Sequence, residues 1–137
     1  MNTAEVRKCG MVFHLTDAKR MLASVDKIVE AGHKVTFAKK ASECFIEHLA
    51  TGQKIYMQKE NGVFVIKVWV QAGEKKKRAT IVVDSGASEC VMPKDWLVEL
   101  PKMKATPGIR FTCAKGNDLG NYGRKLVEFK PIFTRPA

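Results

Sequence analysis

The chain has 137 residues, 45% of them hydrophobic, which suits one compact domain with a modest core. Its 24 Lys and Arg against 14 Asp and Glu give a formal net charge of +10, so it favours acidic partners or carries a self-repelling, solvated surface. No apolar run is long enough to span a membrane, and Glu5, Arg7 and Lys8 stand where an export signal needs an apolar core, so neither a membrane-spanning nor an exported protein is expected.

In chain order, Gly10-Met11-Val12-Phe13-His14-Leu15 and Met21-Leu22-Ala23 read as short apolar strands. Ser24 is a candidate N-cap for a short helix, with Val25, Ile28 and Val29 at helical spacing and Gly32 as its stop. Strand character resumes at Lys34-Val35-Thr36-Phe37 and at Phe45-Ile46-Glu47-His48-Leu49. After a turn at Thr51-Gly52 it returns at Lys54-Ile55-Tyr56-Met57. Asn61-Gly62 is a two-residue hairpin signal ahead of the longest strand candidate, residues 63–70. A loop over residues 71–77, holding most of the Lys75-Lys76-Lys77-Arg78 charge run, is expected to turn the chain back into Ala79-Thr80-Ile81-Val82-Val83-Asp84. Val91-Met92-Pro93 is a further apolar step, and Lys94-Asp95-Trp96-Leu97 fits one helical turn. Residues 109–114 read as extended, Lys115-Gly116-Asn117-Asp118 as a turn, and Lys125-Leu126-Val127-Glu128-Phe129 as an alternating strand. Short, regularly spaced strands with turn signals between them predict an all-β barrel or sandwich with one short helix.

The chemistry centres on Asp84-Ser85-Gly86-Ala87, where a β-branched strand runs into a tight turn with a carboxylate at its mouth. A lone carboxylate hydrolyses a peptide poorly, because water is a weak nucleophile and the leaving amine needs a proton. Two carboxylates a few ångström apart share one proton, so one accepts a proton from water while the other polarises the carbonyl. The sequence has one Asp-Ser-Gly, so the second carboxylate would be Asp84 of another copy, on the axis of a homodimer. Taken alone, the tripeptide also fits an ordinary Asx turn.

Val82-Val83-Asp84-Ser85-Gly86-Ala87 resembles the catalytic motif of retropepsins, the dimeric aspartic proteases of retroviruses and retrotransposons. Residues 63–87 resemble that family's first hairpin, and residues 111–129 its flap. Residues 13–15 resemble the strand that follows in the family, Leu22-Ala23-Ser24 the apolar step beneath its active site, residues 25–32 its helix and residues 33–37 its last strand. Placing residues 79–137 before residues 1–70 restores the family order. The resemblance therefore implies one circularly permuted, closed retropepsin-like barrel over residues 1–137, with residues 1–70 as the family's C-terminal part plus first strand and 71–137 as the catalytic loop and flap. It implies Asp84 as catalytic residue, Ser85, Gly86 and Ala87 as its loop, and Ala114, Lys115, Gly116, Leu22 and Ala23 at the substrate. It also implies a peptide or polyprotein substrate, cleavage strongest at acid to mildly acid pH, and a subunit interface that includes residues 45–57. Ser24 departs from the Gly common in the family, and the flap tip is poorer in glycine than in retroviral members.

Two other readings stand beside the endopeptidase. One is an inactive retropepsin-like module that dimerises or binds peptides; the intact Asp-Ser-Gly argues against it. The other is a basic nucleic-acid-binding domain. Phe64, Trp69 and Phe111 alternate into expected core faces and leave no basic–aromatic stripe, so nucleic acid is not the expected partner. His14, His33 and His48 have no partner visible in sequence. Cys9, Cys44, Cys90 and Cys113 form no CxxC pair and have no His at finger spacing, so no metal and no cofactor is expected. Without an export signal, the thiols point to a reducing, cytoplasmic compartment.

Overall fold

A computed structural model of the chain describes residues 8–112 and 115–132. Among these residues, twelve strands and one short α-helix are formed. They are β1 (Cys9–Thr16), β2 (Met21–Ser24), α1 (Val25–Glu30), β3 (His33–Thr36), β4 (Phe45–His48), β5 (Lys54–Tyr56), β6 (Gln58–Glu60), β7 (Val63–Ala72), β8 (Lys75–Asp84), β9 (Val91–Pro93), β10 (Phe111–Thr112), β11 (Asp118–Leu119) and β12 (Arg124–Pro131). Among the described residues, no helix is long and apolar enough to cross a membrane.

Six strands close a barrel in the order β12-β1-β9-β2-β8-β7, and β7 pairs back to β12 through Val70 with Phe129, Trp69 with Lys130 and Val68 with Pro131. β6 joins the other half of the same β7 edge. Closure removes the exposed edges that an open sheet would leave unpaired. Every second residue of each long strand points inward. Phe13 and Leu15 of β1, Ile66, Val68 and Val70 of β7, Ile81 and Val83 of β8, and Val127 and Phe129 of β12 therefore meet in one core. Lys125 shares the inward parity of Val127 and is buried at the barrel's end. Burial pushes its ammonium below the ordinary lysine range, and its Nζ donates to the carbonyls of Leu97 (2.8 Å) and Trp96 (3.3 Å).

The order of pairing is not the order of the chain. β9 lies between β1 and β2, parallel to the first and antiparallel to the second. β2 in turn runs parallel to β8, with Leu22 opposite Val82, Ala23 opposite Val83 and Ser24 opposite Asp84. Outside the barrel, β3, β4 and β5 form a separate three-stranded sheet, and β10 and β11 a small hairpin.

Several expectations are corrected. The loop over residues 71–77 shrinks to a turn at Gly73 and Glu74, because β7 and β8 keep pairing out to Ala72 opposite Lys75. The Lys75-Lys76-Lys77-Arg78 run therefore lies in a strand; its side chains are exposed at the hairpin's outer end, where charge needs no burial. The helical turn at residues 94–97 does not form. Trp96 N–H donates to the Pro93 carbonyl in a turn, and Leu97 takes a left-handed φ of 53°. The turn at residues 115–118 ends in strand at Asp118, while the extended reading of 109–114 shortens to β10, with residues 113 and 114 outside the described set.

Candidate active site

Asp84 is the last residue of β8 and is half-buried, while Ser85 and Gly86 beyond it are exposed. The Gly86 N–H donates to Asp84 Oδ1 at 2.8 Å, an Asx turn that fixes the carboxylate against its own loop. A Cβ on Gly86 would stand 3.3 Å from that same oxygen, so the residue's lack of a side chain keeps the turn unstrained.

Ser24 holds the loop from below. It is fully buried, directly opposite Asp84 in the β2–β8 ladder. Its Oγ donates to the Ala87 carbonyl at 2.8 Å and accepts from the Lys27 N–H at 3.3 Å, so one hydroxyl caps α1 and ties it to the loop. The Ser24 N–H donates to Cys90 Sγ at 3.3 Å. Burial pushes the Cys90 thiol up from its ordinary range, which disfavours a thiolate nucleophile. Glu89 braces the other side. It pairs with His14 Nε2 at 3.3 Å and with Lys27 Nζ at 3.7 Å, and its charge, then that of Glu30, raises the Lys27 ammonium above its ordinary range.

A groove of 390 Å³ opens over Asp84 and Ser85, lined also by Arg20, Leu22, Phe37 and Phe64. A neighbouring hollow of 470 Å³ shares Arg20, Val63 and Val82 with it and extends toward Trp96. Leu22 lines this groove, whereas Ala23 turns into the core and is fully buried. Lys115 and Gly116 lie at the turn of the β10–β11 hairpin, are exposed, and are not among the residues lining this groove. Ala114 lies outside the described residues. The hairpin is anchored instead by Phe111, which is buried with its ring 5.2 Å from that of His14.

Three features escaped the sequence reading. Arg20 lines both hollows and makes no hydrogen bond or ion pair among the described residues. No spacing marks it, because only the parallel pairing of β2 with β8 brings it to the groove that Asp84 lines. Phe37, just beyond β3, and Phe64 of β7 meet at 4.8 Å between ring centres on the groove's rim. The histidines do have partners: His14 has Glu89, His33 Nδ1 lies 3.2 Å from the Ile28 carbonyl, and His48 Nδ1 lies 2.8 Å from Thr51 Oγ1. No protein-family model, no curated protein and no solved structure matches the chain.

Proposed function

We propose that this chain is one half of a dimeric, retropepsin-like aspartic endopeptidase in circularly permuted form. The observation that carries the reading is Asp84 at a strand end, held by an Asx turn, opening on a partly apolar groove large enough for side chains of a peptide. Each chain offers one such carboxylate, so the catalytic pair needs a second copy, with the two Asp84 loops facing across a two-fold axis. The pair shares one proton. The ionised member takes a proton from water as its oxygen attacks the carbonyl carbon, and the protonated member stabilises the resulting oxyanion. The C–N bond then breaks and the amine leaves with a proton from the pair.

Two further observations support the reading. The Ser85 hydroxyl is exposed and makes no hydrogen bond among the described residues, which leaves it for the partner loop. The β3–β4–β5 sheet packs Ile46 into the barrel's core and leaves Leu49, just beyond β4, 61% exposed, which suits a subunit contact over residues 45–57.

The test is cleavage of a mixed peptide library by wild type and Asp84→Asn. Wild type is expected to cleave, with a maximum at acid to mildly acid pH where the pair holds one proton. Asp84→Asn keeps the fold, since an amide oxygen can still accept from Gly86, and loses cleavage by about a thousandfold or more. Undiminished cleavage by Asp84→Asn overturns the mechanism. Peptide binding without cleavage by wild type supports the inactive module instead.

A further inference from the structure

Alternation along β7 gives Trp69 the parity opposite to the inward-facing Val68 and Val70, so its ring lies on the barrel's outer face. It is 40% exposed, against the core position expected from sequence. Its cross-strand neighbours are Arg78 on β8 and Lys130 on β12, one on each side. The Arg78 guanidinium lies 5.6 Å from the ring centre, which orients both groups on the surface. Two rungs further out, and so on the same face, Lys76 stands opposite Gln71. Lys76, Arg78 and Lys130 are exposed, and none has a carboxylate partner among the described residues. Two acids on neighbouring strands are already taken, Glu128 by Lys8 at 2.8 Å and Glu60 by Lys67 at 2.9 Å, which leaves Glu74 at the hairpin's tip as the acid nearest Lys76 in sequence.

We infer that this face binds single-stranded nucleic acid, with a base stacked on Trp69 and phosphates held by Arg78, Lys130 and Lys76. Exposed lysines alone are satisfied by water, and an exposed indole alone is unremarkable. An indole flanked on both sides by unneutralised cations matches a ligand that alternates flat rings with negative charge. A duplex hides its base faces and would use only the charges. A second copy of this chain, itself at +10, would meet the patch with like charge. Arg78 lies six residues along β8 from Asp84, about 20 Å at strand rise, and although it also lines the hollow beside the Asp84 groove, stacking on Trp69 does not depend on the protease reading.

The test is fluorescence anisotropy of the whole chain with a labelled oligouridine of about 12 nucleotides over a range of salt. Binding is expected, and Trp69→Ala weakens it about tenfold or more. Lys130→Ala and Lys76→Ala each lower the salt slope by about 0.7. Trp69→Phe keeps a ring and most of the affinity, which separates stacking from any loss of folding in Trp69→Ala. A Trp96→Phe chain, whose remaining indole is Trp69, loses tryptophan emission as oligouridine binds, and a Trp69→Phe chain does not. Absence of binding at low salt overturns the inference. So does equal affinity for poly-glutamate of matched charge or for duplex RNA, or an unchanged affinity in folded Trp69→Ala.

Discussion

Ser24 caps α1 and, with the same hydroxyl, holds the Ala87 carbonyl below the Asp84 loop. Ser24→Ala leaves a helix N–H and a half-buried carbonyl without that partner, so denaturant unfolding should show a loss of about 1–2 kcal/mol. Asp17 ties two turns together in a similar way. Its carboxylate accepts from the Gly120 N–H at 2.9 Å, from Lys94 Nζ at 3.0 Å and from the Tyr122 hydroxyl at 3.1 Å. The Gly120 bond, followed by the Lys94 ammonium, holds its pKa below the ordinary 3.8. The carboxylate binds protons more weakly folded than unfolded. Its contribution is therefore present above pH 3.8 and is lost as pH falls through the lowered folded value. The melting temperature of wild type should fall more steeply than that of Asp17→Asn in that acid window, and parallel curves would refute the linkage. Ser24 was legible as a cap from its place before Val25, Ile28 and Val29. Its bond to Ala87 was not, because the two residues are brought together only by the β2–β8 pairing.

The β7–β8 hairpin and its neighbour show which elements a local pattern can specify. Alternating β-branched residues and the Asn61-Gly62 pair mark both β7 and the turn before it, where Asn61 and Gly62 take φ of 49° and 83°. Gly62→Ala puts a Cβ on a left-handed residue and should cost about 1–2 kcal/mol, read as a lower denaturation midpoint with an unchanged slope. Period-two alternation separates two faces without saying which one is inside. Val68 and Val70 on one face and Trp69 on the other are all apolar, so the sequence left Trp69's exposure open to error. The barrel resolved it, because closure through β12 puts the valine face inward. The β10–β11 hairpin was visible as a turn near Gly116. Its anchoring on His14 through Phe111 was not, since His14 comes from the opposite end of the chain.

At the scale of the whole molecule, the proposed carboxylate pair shared between two copies would make activity depend on assembly. Sedimentation should show a dimer at working concentration. A pre-equilibrated equal mixture of wild type and Asp84→Asn should retain about a quarter of the wild-type rate, because random pairing leaves only that fraction of dimers with two intact carboxylates. Retention of half the rate would mean that each chain works alone, and with it the two-copy site would fall. Barrel closure joins β1 to β12 and β2 to β8, pairs whose strands lie far apart along the chain. Such pairings are slow to find, so folding on the millisecond-to-second scale of non-local β proteins is expected.

The sequence by itself determined that the chain is mostly β with one short helix, where the main strands run, and that one carboxylate stands at a strand end before a tight turn. Those features follow from side-chain shape, local periodicity and turn chemistry, which act over a few neighbouring residues. Tertiary structure alone decided that β9 inserts between β1 and β2, that Arg20 borders the Asp84 groove while Ala23 does not, and that Trp69 faces outward among cations. Those outcomes depend on closing a ring of six strands, and closure selects one inward face and one set of neighbours that no local pattern contains.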